Sequence, residues 1–199
     1  MSINFSGRVP FSALIFDCDG TLVDTSILHF QALNRALQPS GIQVPQSWFH
    51  THTGKTMLDL LHVLQAERAT QFNLEEIIEN TARYYHDGLD DLQEVEAVAS
   101  IARRYKGIVP MAVASNGHRE LVIASLTKTN LLSLFDVVVT IEDVTEGKPA
   151  PALFLEAARR MNVSPGQCII FEDSKEGLEA AQRANIPAHD VRQGFHFLP

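Results

Sequence analysis

The amino-acid sequence predicts an α/β fold in which a doubly wound, mainly parallel sheet carries an inserted α-helical cap. Two observations support this fold class. Short apolar runs alternate with helical patterns through the second half of the chain, which is typical of a parallel sheet flanked by helices. Roughly 80 residues of helical pattern alone separate the first apolar run from the second, and one crossover helix needs only about a dozen.

Four short apolar runs are the predicted strands of the sheet. They show no regular alternation of polar and apolar residues, as expected for strands that are buried on both faces. Helical spacing of apolar residues follows the last three runs, at residues 121–131, 153–161 and 178–184. The strands themselves are expected at residues 11–16, 109–114, 137–140 and 169–171.

The long segment between the first two strands shows only helical spacing. Within it, an uncharged stretch at residues 36–54 is rich in glutamine, serine, histidine and proline and is expected to be a loop. A helical domain over one end of the sheet is the simplest explanation of a segment this long. We therefore predict a core domain of residues 1–24 and 106–199, and a cap domain of residues 25–105.

The charge balance limits the classes of partner. Lysine and arginine total 16 while aspartate and glutamate total 24, so the formal net charge is −8. Nucleic-acid-binding proteins concentrate basic residues, and we therefore expect no nucleic-acid partner. A small anionic substrate is compatible with this charge, because positive charge can be gathered at one site.

The sequence also predicts the compartment. It contains no signal-peptide pattern and no run near the ~18 apolar residues of a membrane span, so we expect a cytoplasmic protein with no membrane partner. Cys18 and Cys168 each lie in an apolar run and are expected to be buried free thiols. No extended apolar surface pattern demands a partner chain, and we expect a monomer.

Polar residues follow the predicted strands at the points where the strands end. In an open parallel sheet, ligands bind outside the carboxyl ends of the strands, so these residues are expected to form one site. The set comprises Asp17, Asp19, Gly20 and Thr21 after the first run, Ser115 and Asn116 after the second, Lys148 after the third, and Glu172 and Asp173 after the fourth.

The carboxylates of this set indicate a metal site. Four carboxylates beside a single lysine repel one another strongly unless a cation lies among them. Mg²⁺ prefers oxygen-rich sites that also take water and phosphate. The cation would let a carboxylate approach a phosphoryl group, while Lys148 adds a fixed charge and Ser115, with nearby N–H groups, holds phosphate oxygens. The sequence therefore predicts Mg²⁺ and a phosphorylated ligand.

Each of these residues has an ordinary structural explanation when it is taken alone. An aspartate at a strand end usually forms a turn or caps a helix, and Asp173 with Ser174 suits a helix N-cap. A loop lysine such as Lys148 is usually solvated. Their occurrence together, in order and at consecutive strand ends, favours the functional interpretation.

The segments that follow the four predicted strands resemble those of the haloacid-dehalogenase superfamily, whose members are phosphotransferases that use an aspartate nucleophile. The four segments are similar to the four motifs of that superfamily, and the helical insert resembles its cap, so the resemblance covers nearly the whole chain. Within the superfamily it is strongest for the sugar-phosphate phosphatases and β-phosphoglucomutases. The segments are DCDGTLVDT at residues 17–25, SNG at 115–117, GKPAP at 147–151 and FEDS at 171–174.

The resemblance implies a role for each charged residue of the site. Asp17 would be the nucleophile that forms an aspartyl-phosphate, and Asp19 would protonate the leaving oxygen and then activate water. Mg²⁺ would be held by the Asp17 carboxylate, the Asp19 backbone carbonyl and Asp173, with Glu172 nearby. Lys148 would grip the transferring phosphoryl group together with the Ser115 hydroxyl.

The implied function is a Mg²⁺-dependent phosphatase that acts on a small phosphorylated metabolite, a sugar phosphate or related phosphomonoester. In such a protein the cap sets specificity. The candidate substrate-binding residues are Gly20, Thr21 and Asn116 at the strand ends, and His29, Gly54 and Lys55 in the cap.

The cap candidates have alternative explanations. His29 stands where β-phosphoglucomutases and some sugar phosphatases carry a histidine beside the leaving group, but a core histidine would also suit its apolar helix face. Lys55 could contact a distal hydroxyl or anion of the substrate, or be a solvated lysine at a helix start. His50 and His52 lack the further ligands of a tetrahedral metal site and are interpreted as loop residues.

Two alternative functions stay open. β-Phosphoglucomutases resemble one another in an arginine three residues after the cap glycine, where it binds a second phosphate, and this chain has Met57 there. That departure favours a phosphatase over a mutase. The other alternative is a non-catalytic binding protein with the same fold, which the joint presence of the acidic motif residues disfavours.

Overall fold

The computed structural model describes residues 11–194, so the outer ends of the predicted core domain, residues 1–10 and 195–199, lie outside the described residues. Strands and helices alternate in the second half of the chain, as predicted. The strands are β1 (Ala13–Phe16), β2 (Val23–Asp24), β3 (Gln93–Glu94), β4 (Met111–Ala114), β5 (Val137–Val139), β6 (Cys168–Glu172) and β7 (Ala188–Asp190). The helices are α1 (Ser26–Leu37), α2 (Gln46–His50), α3 (Met57–Arg68), α4 (Leu74–Asp87), α5 (Glu96–Tyr105), α6 (Arg119–Lys128), α7 (Ala152–Arg160) and α8 (Lys175–Arg183).

A parallel sheet of five strands, in the order β5-β4-β1-β6-β7, forms the centre of the core. In the central strand β1, Leu14 is opposite Met111 of β4 on one side and Ile169 of β6 on the other. The strand order reverses at β1, which creates a crevice for ligands at its carboxyl end. The predicted fold class and the four predicted strands are confirmed. The sequence does not predict β7, because its alanine, histidine and aspartate form no apolar run.

Helices cover both faces of the sheet, because side chains along each strand alternate between the two faces. On one face, Ala13 and Ile15 of β1 pack with α7 and α8. On the other, Leu14 and Phe16 pack with α5 and α6, and the Phe16 ring stacks on that of Phe171 with 4.8 Å between centroids. Burial on both faces explains why β1 is apolar along its whole length.

The inserted helices α1 to α4 enclose an apolar core of their own, and α1 packs along α4. Two of these helices begin at side-chain caps. The Thr56 hydroxyl accepts a hydrogen bond from the Asp59 N–H at the start of α3, and the Asn73 side chain does the same for Glu76 at the start of α4. The buried residues of this core include Leu33, Leu37, Phe49, Leu61, Leu64 and Ile77.

Two expectations for the insert are wrong in part. Residues 36–54 are expected to be a loop, but they include the end of α1 and the five-residue helix α2. The sequence does not predict α2 because no charged residue or side-chain cap marks its start. The segment is also not purely helical, since β3 pairs with β2 in an antiparallel ribbon where Val23 is opposite Glu94. A strand of two residues is too short to show a sequence period.

Helix α5 packs against the sheet, although the division predicted from the sequence places it in the cap. Its buried residues, among them Val98, Ala102 and Tyr105, join the cluster that covers Leu14 and Met111 of the sheet. The domain division at residue 105 stays a prediction, and this packing supports a cap that ends before residue 96.

Cys18 and Cys168 are buried and unpaired, as predicted. The helix expected at residues 121–131 is α6, which ends at Lys128. No helix within residues 11–194 has both the length and the apolar character that crossing a membrane requires.

Candidate active site

The predicted site residues converge at the carboxyl ends of β1, β4 and β6. The chain leaves β1 at Asp17, whose N–H donates to the Phe171 carbonyl at 3.0 Å, and then turns sharply at Gly20. Gly20 has φ = +86°, and a Cβ there would lie 2.5 Å from Asp173 Oδ2. The turn therefore requires glycine for its backbone conformation and for its close approach to Asp173.

Lys148 is buried between two carboxylates. Its ammonium donates to Asp17 Oδ1 at 2.5 Å and to Glu172 Oε2 at 2.7 Å. Burial lowers the pKa of Lys148, but the charges of Asp17 and Glu172 outweigh it, and the pKa is raised overall. Lys148 is thus a permanent cation in contact with the Asp17 carboxylate. It is buried, so the ordinary explanation of a solvated loop lysine does not apply.

Glu172 is hydrogen-bonded through both of its oxygens. Oε2 accepts from Lys148, while Oε1 accepts from the Asp173 N–H at 3.1 Å, the Ser174 N–H at 2.9 Å and the Ser174 hydroxyl at 2.8 Å. A Cβ on Gly177 would lie 2.0 Å from the Glu172 Cδ, so α8 packs directly on this carboxylate. Glu172 orients both Lys148 and the loop that carries Asp173.

Three carboxylates form a group that can hold a cation. Asp17, Glu172 and Asp173 offer oxygen atoms that all lie within 4.8 Å of one another. Burial and the neighbouring Glu172 charge raise the pKa of Asp173 to about 6, and the same two causes raise the pKa of Asp17 well above its usual range. A divalent cation would relieve this repulsion, and an all-oxygen donor set suits Mg²⁺. The Thr21 hydroxyl orients Asp173 by donating to Oδ1 at 2.9 Å.

Asp19 faces the other way, toward the cap. Its Oδ1 lies 3.1 Å from His29 Nε2, and its Oδ2 accepts from the Ser115 hydroxyl at 3.3 Å. Burial raises the pKa of Asp19, but the hydrogen bond and charge of His29 and the hydrogen bonds from Thr25 and Ser115 more than offset it, so the pKa is lowered overall. The carboxylate of Asp19 is not part of the three-carboxylate group, and the metal role of its backbone carbonyl stays a prediction.

His29 combines the two explanations that the sequence left open. Its ring packs on the buried Tyr85 ring with 4.4 Å between centroids, as a core histidine would. Its Nε2 nevertheless points at Asp19. The Tyr85 hydroxyl is in turn hydrogen-bonded to Ser125 at 2.7 Å. Tyr85 therefore fixes the position of His29, and the sequence gives no sign of this because Tyr85 follows the apolar spacing of α4.

Asn116 joins the core to the cap. Its Oδ1 accepts from the Lys148 N–H at 2.8 Å, and its Nδ2 donates to the Lys148 carbonyl at 3.1 Å and to the Gly54 carbonyl at 2.7 Å. Gly54 has φ = +89°, and a Cβ there would lie 2.8 Å from Ser174 Cβ. The next residue, Lys55, has its Nζ 3.5 Å from Glu176 Oε1 on α8. The loop at residues 53–56 is thus held against the core.

A cavity of about 530 Å³ lies between the cap and the strand ends. The cap side contributes an apolar wall of Phe49, Met57, Leu60, Ile78 and Ala82. All the predicted site residues line the cavity except Thr21 and Glu172, which lie behind it and orient Asp173 and Lys148. Tyr85, Glu176 and Arg192 also contribute to the site, and the sequence gives no sign of them because their contacts with it depend on distant segments.

His50 and His52 also line the cavity, and His50 is the last residue of α2 rather than a loop residue. The His52 ring packs on Trp48 with 4.4 Å between centroids, and its Nδ1 lies 2.8 Å from the Trp48 carbonyl. Among residues 11–194, neither histidine belongs to a group of three potential metal ligands.

A parallel sheet whose central strand ends in two aspartates, beneath an inserted helical cap, defines a class of hydrolases. The chain belongs to this class: residues 14–191 match the family of haloacid dehalogenase-like hydrolases. The predicted resemblance and the predicted type of enzyme, a hydrolase of this family, are confirmed.

Relatives of the chain include named phosphatases. It is 33% identical over 186 residues to the fructose-1-phosphate phosphatase YqaB of Escherichia coli (strain K12), covering 92% of this chain and 97% of that protein. It is 32% identical to the 6-phosphogluconate phosphatase of the same organism, covering 87% and 79% of the two chains. A β-phosphoglucomutase of Clostridium difficile shares the fold, with a TM-score of 0.81 at 24% identity over 89% of this chain and 83% of that chain.

Proposed function

We propose that the protein is a Mg²⁺-dependent phosphatase that hydrolyses a small sugar phosphate, or a related phosphomonoester, through an aspartyl-phosphate. The names of its relatives support the substrate class, since they include phosphatases of fructose 1-phosphate and of phosphorylated carbohydrates. The assignment of the individual steps rests on the geometry at the strand ends.

The observation that carries the proposal is the contrast between Asp17 and Asp19. They are two positions apart in the chain and line the same cavity, but in opposite surroundings. Asp17 contacts the Lys148 ammonium and lies beside the carboxylates of Glu172 and Asp173, whereas Asp19 faces His29 and Ser115. Two carboxyl groups held in different environments at one reaction centre can act as nucleophile and as acid–base group.

In the first step an oxygen of Asp17 attacks the phosphorus atom. A P–O bond to Asp17 forms, the P–O bond to the leaving alcohol breaks, and the carboxyl proton of Asp19 passes to the leaving oxygen. The negative charge of a bound phosphoryl group raises the pKa of a neighbouring carboxyl, which favours protonation of Asp19 when substrate is present. Lys148 stabilises the charge that accumulates on the transferred group.

In the second step a water molecule attacks the phosphorus atom of the aspartyl-phosphate. Asp19, now a carboxylate, takes a proton from this water, and the bond to Asp17 breaks as inorganic phosphate leaves. The Gly117 N–H donates to the Ser115 hydroxyl oxygen at 2.9 Å and so positions this hydroxyl beside Asp19, where it can donate to a phosphoryl oxygen.

The three-carboxylate group is the proposed Mg²⁺ site. Asp17 and Asp173 would hold the ion with the Asp19 carbonyl, and Glu172 would contribute charge from behind them. When bound, Mg²⁺ supplies charge neutralisation that lets an anionic phosphoryl group approach the carboxylates.

A panel of sugar phosphates with Mg²⁺ tests the proposal by release of inorganic phosphate. We expect turnover that a chelator removes and that Asp17→Asn abolishes, with a loss of about 10²–10⁴-fold for Asp19→Asn. Asp24→Asn, an exposed position of β2 outside the cavity, is the matched control. Acid-quenched enzyme should carry one phosphoryl group on Asp17 by peptide mass spectrometry.

The two alternatives predict different results in the same panel. Conversion of a hexose phosphate to its isomer with little free phosphate would identify a mutase. Binding of sugar phosphates without turnover would identify a non-catalytic protein. Either result overturns the proposal.

A further inference from the structure

The lysines and the arginine of the described cavity lining are already paired with carboxylates. Lys148 contacts Asp17 and Glu172. Arg192 binds Asp190 through two parallel hydrogen bonds, Nε to Oδ1 and Nη2 to Oδ2, both 2.7 Å long. The remaining lysine of the lining is Lys55, which lies on the cap loop.

Glu176 is the partner of Lys55. The two side chains are only 31% and 20% exposed, and Nζ lies 3.5 Å from Oε1. The carboxylate of Glu176 also lies against Gly54, where a Cβ would be 3.0 Å from Oε2. A pair with this much burial is screened less than a surface pair, so Glu176 effectively cancels the charge of Lys55.

The other charged side chains of the lining are carboxylates, which lie there with the histidines His50, His52 and His118. Glu79 of α4, Glu120 of α6 and Glu142 line the cavity and are exposed. The N-terminus of α6 carries a partial positive charge, but a carboxylate already binds it: the Arg119 N–H donates to Glu142 Oε1 at 3.0 Å and to Oε2 at 3.2 Å. Glu79 makes no ion pair within residues 11–194. A second anion on a substrate would therefore meet carboxylates at the mouth, where each lysine and arginine of the described lining is already paired with a carboxylate.

We propose that Glu176 sets the charge selectivity of the cavity: by pairing with Lys55 it excludes leaving groups that carry a second anion, so the preferred substrates are monophosphates of uncharged polyols. This inference rests on the proposed phosphatase function and names its substrate class. The apolar wall of Phe49, Met57 and Leu60 is consistent with a sugar that presents its C–H face to the cap. Selectivity of this kind is produced by repulsion of the wrong substrate rather than by added contacts to the right one.

Matched substrates test the inference. We expect kcat/KM to be about tenfold or more higher for glucose 6-phosphate than for 6-phosphogluconate, and for fructose 1-phosphate than for fructose 1,6-bisphosphate, because like charges disfavour binding. Glu176→Gln frees Lys55 and should reduce each ratio by about three- to tenfold. Glu179→Gln, on the solvent-facing part of the same helix and paired with Arg183, should leave both ratios unchanged.

The double variant Lys55→Gln with Glu176→Gln assigns the effect to the pair, because it should restore the wild-type ratios. Circular dichroism and thermal unfolding of each variant confirm that it is folded. A wild type that prefers the doubly anionic substrates, or an unchanged ratio in folded Glu176→Gln, would overturn the inference while leaving the phosphatase function intact. Failure of every substrate, including p-nitrophenyl phosphate, would instead refute the phosphatase function and with it the inference.

Discussion

The Lys148 ammonium lies 2.5 Å from Asp17 Oδ1, within a site where both side chains are almost fully buried. The two residues are 131 positions apart in the sequence, with the whole cap between them, and the parallel sheet brings them together. A buried charge whose partner is removed is far more costly than an exposed one. This contact therefore links the stability of the core to the chemistry proposed for Asp17.

Replacement of Lys148 by methionine tests that link. Lys148→Met leaves Asp17 and Glu172 buried without their cation, and we expect a loss of about 3–5 kcal/mol in the free energy of unfolding, measured with urea. Phosphatase activity should fall by at least 10²-fold, because the charge on the transferred group loses its nearest cation. Lys128→Met removes an exposed lysine paired with Asp90 and should change neither property. A stable and active Lys148→Met would contradict the prediction.

Removal of the His29 contact should change the pH dependence of the reaction. In His29→Phe the ring can still pack on Tyr85, but the hydrogen bond that lowers the pKa of Asp19 is lost. We expect the Asp19-dependent limb of the kcat/KM profile to move to higher pH, with a loss of about tenfold or more in activity at its optimum. His62→Phe, an exposed change on α3 outside the cavity, is the control. An unshifted profile would show that His29 does not act through Asp19.

Mg²⁺ should stabilise the folded protein more at neutral pH than in acid. The raised pKa of Asp173, about 6, means that the metal-free fold binds this proton more tightly than the unfolded chain does. Without metal, the contribution of Asp173 to stability therefore falls as the pH rises from the unfolded value, about 3.9, through about 6. Mg²⁺ binds the ionised carboxylates, so protons compete with it below about pH 6.

Thermal unfolding measures this competition. At about 100 times its Kd, Mg²⁺ should contribute about 2.7 kcal/mol, which corresponds to roughly 5–10 °C in Tm for a chain of this size. The increase should be fully present at about pH 7.5 and fall to about half or less at about pH 5. Asp173→Asn should remove it at both values. An equal increase at both pH values would exclude this carboxylate group as the binding site.

Glycine at position 20 should be required for the metal site as well as for the turn. Gly20→Ala places a Cβ 2.5 Å from Asp173 Oδ2 at a backbone φ of +86°, so Asp173 or the turn must move. We expect destabilisation of about 1–3 kcal/mol and weaker Mg²⁺ binding. Gly41→Ala is a matched control, since Gly41 has φ = +68° but open space at the Cβ position. It should show only the backbone cost of roughly 1 kcal/mol and leave Mg²⁺ binding unchanged.

The principal strands of the sheet could be predicted from the sequence because short apolar runs that alternate with helical patterns are typical of strands buried on both faces. A strand such as β1, buried on both faces, must be apolar throughout, and its end is marked by Asp17. The edge strand β7 and the two-residue strands β2 and β3 carry no such pattern, because their pairing depends on a neighbouring strand and not on their own burial. The placement of α5 in the core, rather than in the cap, depends equally on what it packs against.

The residue types at the strand ends determined the predicted chemistry without any coordinates. Asp17, Asp19, Lys148 and Asp173 could be assigned to one site because parallel strands bring their carboxyl ends to one edge of a sheet. What the sequence could not determine was the environment of each group. Only the tertiary structure decides that Asp17 faces Lys148 while Asp19 faces His29, that Tyr85 supports His29, and that Glu176 cancels Lys55. Local propensity and spacing act over a few residues, whereas charge pairing and burial depend on distances between segments that only the folded chain brings into contact.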